Sequence, residues 1–262
     1  MGNTAGAAHF GADGSAYDRF MGRYSSRLAV EFADFALVGT DHRTLDVGCG
    51  TGALTNELVR RLGPDRVHAI DPAPSLLQAC RSRHAGADIR IGNAEDLNFA
   101  DGQFDRVLSQ LVLHFVTHAD RVAEEFARVL RPGGIAAACV WDFADGMQML
   151  RLFWDAALTV RPDAPDEATT LRFGGPGEIA LLMEDAGFTE VTETTLTVHS
   201  SYADFDELWG SFLEGVGPAG AFCVSLTPDE QFAVRQELHA RLGRPAAAFT
   251  LAGVARAARG VR

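Results

Sequence analysis

A doubly wound α/β fold, built on a mostly parallel sheet of seven strands, is what this 262-residue chain predicts. Two observations carry the prediction. Short β-branched or apolar runs alternate with helix-period segments over the first 141 residues, and strands separated by helices pair in parallel through right-handed crossovers. The first run ends in a glycine-rich turn, Asp46-Val47-Gly48-Cys49-Gly50-Thr51-Gly52, where open α/β sheets bind ligands. A chain this long hides roughly 70–75% of its unfolded surface, and a 47% hydrophobic composition furnishes that core.

The elements follow in order. Residues 1–15 are Gly- and Ala-rich, have nothing to bury, and are expected to be disordered. The start of the chain lacks the basic and apolar regions of a signal peptide, and Gly6 stands where myristoylation takes Ser or Thr. From Tyr17 to about Val38, Leu28, Phe32 and Phe35 recur at helical spacing. Strands are expected at Thr44–Val47, Val67–Ile70, Ile89–Ile91, Phe104–Leu108 and Ile135–Trp141. Between the last two, Val122, Phe126, Val129 and Leu130 share one face of a helix over Ala119–Leu130, opened by Thr117 and Asp120.

The second half is less regular. A helix over about Met147–Val160 leads into a Pro/Asp loop, Arg161–Glu167, and Gly187 stops a helix over Ile179–Ala186. A Thr-rich strand covers Phe188–Val198. Thr227-Pro228-Asp229-Glu230 then opens a helix running to about Leu242, before a last strand near Ala247–Ala258. Residues 16–262 thus read as one domain, with an N-terminal helix (about 16–38) and two insertions (about 145–175 and 200–245) available as a helical cap.

Composition excludes whole classes of chemistry. All 23 basic residues are Arg, so a P-loop, a kinase strand lysine and a pyridoxal Schiff base are ruled out. Thirty-five acidic residues leave a net charge of −12, which disfavours a nucleic-acid partner. Arg81, Arg83 and Arg90 read as a solvated helix face and strand end. The four cysteines are far apart, which suits a reduced cytoplasm and argues against zinc. His114 and His118 are four residues apart, but Phe115 stands where a zinc site of the His-Glu-x-x-His type needs Glu, so no metal is expected. No Gly-x-Ser-x-Gly elbow exists, and no apolar run reaches the 18 residues of a membrane span.

The glycine turn carries the chemistry. Its glycines let backbone approach a ligand whose charge meets the next helix N-terminus, and Asp71, 21 residues past Gly50, ends the second strand where a carboxylate accepts from ribose hydroxyls. Gly48, Gly50 and Ala53 also satisfy a dinucleotide fingerprint, so these residues alone indicate an adenosine-type ligand without choosing which.

Further motifs separate the candidates. Asp46 before the glycine turn, Val67–Pro72, Gly92-Asn93-Ala94-Glu95-Asp96-Leu97, Asp101–Val107 and Leu130-Arg131-Pro132-Gly133-Gly134 occur in order over residues 45–134. In that order they resemble the motifs of class I S-adenosylmethionine-dependent methyltransferases, most nearly the small-molecule enzymes of the ubiquinone/menaquinone-biosynthesis type. The resemblance implies S-adenosyl-L-methionine as cofactor, a small-molecule methyl acceptor at O, N or C, and a final antiparallel strand near 248–259. It implies a cofactor site from Gly48, Gly50, Thr51, Asp71, Pro72, Asn93, Ala94, Glu95 and Ser109. Asn93 stands where aspartate is frequent, so either Asn93 or Glu95 would read the adenine amine.

Upstream, Tyr17-Asp18-Arg19-Phe20-Met21-Gly22-Arg23-Tyr24 resembles a segment that closes over the cofactor, with Arg23 toward its carboxylate; an ordinary exposed helix is the alternative. His114, after the fourth strand, is the candidate general base. Ser109-Gln110-Leu111 stands where nucleobase-amine enzymes carry Asn-Pro-Pro-Tyr. A nicotinamide-dependent oxidoreductase would share the glycine turn and Asp71 but not the later motifs, and a non-catalytic cofactor-binding regulator would keep the turn alone. Nothing in the sequence bears on oligomeric state.

Overall fold

The computed structural model describes residues 14–262. Its seven strands are β1 (Thr44–Val47), β2 (Val67–Asp71), β3 (Asp88–Ile91), β4 (Phe104–Gln110), β5 (Leu130–Trp141), β6 (Thr189–Tyr202) and β7 (Phe249–Val261). They lie in the order β3-β2-β1-β4-β5-β7-β6. The first five pair in parallel; β7 runs antiparallel to both of its neighbours, β5 and β6.

Helices α3 (Ala53–Leu62) and α4 (Pro74–Arg83) make the crossovers from β1 to β2 to β3, and α5 (Ala119–Val129) makes the crossover from β4 to β5 on the opposite face. The winding therefore reverses between β1 and β4, opening a crevice beyond their carboxyl ends.

Local chemistry accounts for these elements. Central strand β5 is buried on both faces from Gly134 to Trp141, and its Ile-Ala-Ala-Ala-Cys-Val-Trp run is continuously apolar for that reason. Edge strand β6 exposes most of its Thr and Glu residues in its first half; Val198, Ser200 and Tyr202 then alternate inward. This alternation carries β6 four residues past its expected end at Val198. On α5, Val122, Phe126 and Val129 are buried at helical spacing.

The remaining helices form the cap side. Helix α1 (Gly14–Tyr17) runs through a π-helical segment (Asp18–Gly22) into α2 (Arg23–Phe35). The stretch expected to be disordered, residues 1–15, lies outside the described residues as far as 13, whereas Gly14 and Ser15 begin α1. The first insertion holds α6 (Gln148–Val160) and α7 (Glu167–Thr170); α8 (Glu178–Asp185) precedes β6; α9 (Phe205–Leu213), α10 (Gly217–Ser225) and α11 (Pro228–Arg241) fill the second. Helix α11 starts on the expected capping box, with Thr227 Oγ1 accepting from the Glu230 amide at 3.3 Å and Glu230 Oε2 accepting from the Thr227 amide at 2.9 Å. One apolar cluster joins α2, α6 and α9–α11 to the sheet face beneath them.

Candidate active site

The crevice at the β1/β4 reversal holds a cleft of about 340 Å³. Tyr17, Gly48, Gly50, Asp71, Pro72, Asn93, Ala94 and Glu95, expected from the sequence, line it together. Gly48 (φ +79°) and Gly50 (φ +54°) turn the chain through the left-handed region. A Cβ on Gly48 would stand 2.3 Å from Val112 Cγ2, whereas one on Gly50 would meet nothing within 4 Å. Gly48 is thus demanded by close packing and Gly50 by conformation.

Asp71 closes the turn. Its Oδ2 accepts from the Gly50 amide and its Oδ1 from the Ala73 amide, both at 2.8 Å. Burial raises its pKa above the ordinary carboxylate value, against the two amides. Each oxygen keeps a lone pair for a further donor from the cleft. Asp46, one strand position before Val47, does not line the cleft. It is 1% exposed, accepts from Thr55 Oγ1 at 2.6 Å, and burial pushes it up to about 7. It anchors α3 to β1.

At the far end, Asn93 Oδ1 accepts from the Glu95 amide at 3.1 Å, and Glu95 Oε1 accepts from the amides of Thr117 and His118 at 2.9 and 3.1 Å. Glu95 therefore ties the loop after β4 to the turn after β3 with one oxygen.

Three expected cofactor residues lie elsewhere. Thr51 is turned to the opposite side of the glycine loop, where its hydroxyl donates to Asp18 Oδ1 at 2.7 Å. Ser109 is fully buried and donates to the Val47 carbonyl at 3.2 Å, because strand alternation points it into the sheet layer. Arg23 pairs with Glu207 and stacks on Tyr202, its guanidinium 4.3 Å from the ring centroid, so it reaches α9 rather than the cleft.

In place of Ser109, Gln110 reaches the cleft, two residues past the end expected for β4. Its Nε2 donates to the Ser25 carbonyl at 3.0 Å, and its Oε1 is buried without a hydrogen-bond partner. An unsatisfied buried acceptor beside a ligand cleft calls for a donor from the ligand. A carboxylate with spare lone pairs, an orphaned amide oxygen and a glycine loop opening α3 fit an adenosyl group bearing an amino-acid end.

A second, smaller cavity of about 40 Å³ adjoins the first, and Tyr17, Leu111 and Phe115 line both. His114, Trp141, Phe143, Leu150, Glu167 and Val216 complete much of its wall. His114 packs against Phe115 and Phe143 at ring-centroid distances of 4.0 and 5.2 Å. Burial drives its pKa down to about 3 and its Nδ1 has no partner. At neutral pH it is an uncharged imidazole, and the same burial disfavours the protonated ring that a general base at His114 would form. Glu167, in the first insertion, was invisible to sequence reasoning. Its Oε2 accepts from Trp154 Nε1 at 2.8 Å, and burial pushes its pKa up to about 7. Burial likewise pushes the Tyr17 phenol, between the two cavities, up to about 12.

Among the described residues no group of three or more His, Cys, Asp or Glu could hold a metal, and no helix is long and apolar enough to cross a membrane. All four cysteines are free and buried.

Comparison with known proteins agrees with this geometry. Residues 45–138 match the methyltransferase-domain family. The malonyl-(acyl-carrier protein) O-methyltransferase of Methylococcus capsulatus is 32% identical over 213 residues, 70% of this chain and 74% of that protein. An uncharacterized methyltransferase of Mycobacterium tuberculosis is 40% identical over 136 residues, 52% of this chain and 53% of that one, so the chain spans about half the length of this relative. The fold also matches phosphoethanolamine N-methyltransferase 2 of Haemonchus contortus, with a TM-score of 0.58 at 16% identity over 95% of this chain and 57% of that one. The methyltransferase motifs run in order around a cleft of matching chemistry, and a relative aligns over most of both sequences: the chain belongs to the class I S-adenosylmethionine-dependent methyltransferases.

Proposed function

We propose that the protein is an enzyme that transfers a methyl group from S-adenosylmethionine to a nucleophilic O, N or C atom of a small molecule. The observation that carries the reading is the junction of the two cavities at Tyr17, Leu111 and Phe115. One cavity has groups for an adenosyl and amino-acid ligand; the other is apolar and walled by the cap. When bound, the cofactor supplies an electrophilic methyl on a positively charged sulfur.

The chain's own residues bind and orient. Asp71 accepts from ribose hydroxyls, Gln110 Oε1 accepts from the ammonium, and the turn at Asn93–Glu95 bounds the adenine end. Residues of α1, α6, α7 and α10 shut water from the reacting centre, which strengthens electrostatic interactions there. In this reading 16–262 is one domain, with cap elements at about 16–38, 145–175 and 200–245. Four buried free thiols and an acidic surface suit a cytoplasmic enzyme with neither nucleic acid nor membrane as partner.

Thermal unfolding tests the cofactor assignment. S-adenosylhomocysteine should raise Tm by preferential binding to the folded state, and NADH at equal concentration should not. The reverse result would replace the reading with the oxidoreductase one.

A further inference from the structure

The second cavity carries information about what enters it. Its volume of about 40 Å³ is room for roughly three waters at one per 10–15 Å³, the bulk of a single six-membered ring. Its wall is aromatic and aliphatic apart from Tyr17, His114 and Glu167. Among the described residues no arginine lines it. Arg151, near Glu167 in sequence, is committed to Asp155 at 2.8 Å and Asp166 at 2.7 Å. The indole N–H of Trp141 is turned to Met21 Sδ at 3.2 Å. The amino end of α10 faces the cavity, but Pro218 removes one of its amides.

An anionic acceptor would enter this space beside a carboxyl group and, among the described residues, without a counter-ion side chain, at a desolvation cost that the amino end of α10, one amide short, offsets only in part. An uncharged acceptor meets the opposite situation. Glu167 is anchored through Oε2 by Trp154, itself 1% exposed, while its Oε1 accepts no hydrogen bond among the described residues. A donor on the acceptor would complete it.

Resting on the methyltransferase reading, we propose that Glu167 is the group that selects and deprotonates the acceptor. The acceptor is then an uncharged, ring-sized molecule whose nucleophilic atom carries a proton, an O–H or N–H. The oxygen or nitrogen forms its bond to the methyl carbon, the carbon–sulfur electron pair stays on sulfur, and the proton passes to the Glu167 carboxylate. A charge-neutral acceptor and a cationic methyl donor thus yield two neutral products and a protonated carboxyl. Burial places Glu167 near half-ionised at pH 7, so such a base gains strength over the neutral range. The other titratable groups near it are Asp166 and Arg151 behind, already paired, and His114 and Tyr17 across the cavity.

Calorimetric titration of the protein saturated with S-adenosylhomocysteine, at pH 8, tests this. The probes are 4-methylphenol, 4-methylaniline and 4-methylbenzoate. The phenol or the amine should bind at least about tenfold more tightly than the benzoate, and which of the two binds distinguishes hydroxyl from amine. Glu167→Gln should weaken that binding at least about tenfold, with the Kd for S-adenosylhomocysteine unchanged within twofold. With the probe that is turned over, the parent rate should rise through pH about 7, and Glu167→Gln should lose about 10²–10⁴-fold in kcat together with that rise. Trp154→Phe keeps the carboxyl and removes its donor, so it should shift the midpoint to higher pH. Tighter benzoate binding, no binding of phenol or amine, or an unaltered pH profile in Glu167→Gln overturns the proposal. Failure of the parent to bind S-adenosylhomocysteine would instead overturn the cofactor reading.

Discussion

Replacing Asp71 by Ala puts the cofactor site to its sharpest test. Its two oxygens hold the Gly50 and Ala73 amides at 2.8 Å each, and the residue is 7% exposed. A hydrogen bond to a charged acceptor contributes about 1.5–3 kcal/mol net, which is about 10- to 150-fold in Kd. Two ribose hydroxyls counted independently would give twice that. The raised pKa argues for the single-bond range, because burial already outweighs both amide bonds and the ionised carboxylate is held at a cost. Titration calorimetry with S-adenosylhomocysteine measures the change, and a matched Tm confirms that the glycine turn survives. Affinity of the parent should also fall as pH is lowered toward the raised pKa, since protonation removes an acceptor. A Kd within twofold of the parent would mean that the ribose is held elsewhere.

Three further outcomes are expected. Gly48→Ala should cost about 2–4 kcal/mol in urea denaturation, combining the left-handed backbone with the clash against Val112, and adding Val112→Ala should recover the clash part only. Glu167→Gln should change stability in a pH-dependent way. The folded pKa of about 7 lies above the unfolded one, so the acid destabilises the fold progressively as pH rises from about 4.5 to 7 and gives no penalty below that range. The variant should therefore gain about 2–3 kcal/mol on the parent between pH 5 and pH 8, and equal differences at both pH values would refute the buried ionisation. Arg23→Ala should lower stability by about 0.5–1 kcal/mol through the lost Glu207 pair and Tyr202 stacking, with cofactor Kd unchanged; a tenfold rise in Kd would return Arg23 to the cofactor carboxylate.

Much of this architecture was legible in the sequence because its signals are local. Strand–helix alternation, the glycine turn and Asp71 each follow from residue type at fixed spacing, and the parallel half of the sheet is assembled from those repeating units. What the sequence left out is which way a side chain points. Thr51 and Ser109 occupy motif positions but face Asp18 and Val47, since a motif fixes the path of the backbone and not the side of each residue. Gln110 followed Ser109 by one residue and took its place, because β4 continues two residues beyond Leu108. Glu167 lay at the end of a Pro/Asp loop with no periodicity to reveal that the fold buries it. Only tertiary packing of α7 against Trp154 of α6, beside α10, makes it part of a cavity.

The reversed strand β7 divides the sheet into halves with different histories. Strands β1 to β5 find their neighbours within the first 141 residues, whereas β6 has a single partner, β7, which begins 47 residues after β6 ends. Closing a loop of that length delays pairing, so on folding the Thr-rich strand waits unpaired until the second insertion has collapsed. The same seam governs partial unfolding. Ligand bound at the β1/β4 crevice tightens the early half directly, while amide exchange in β6 is limited by release of β7 from β5 and responds to ligand only as far as the cap transmits it.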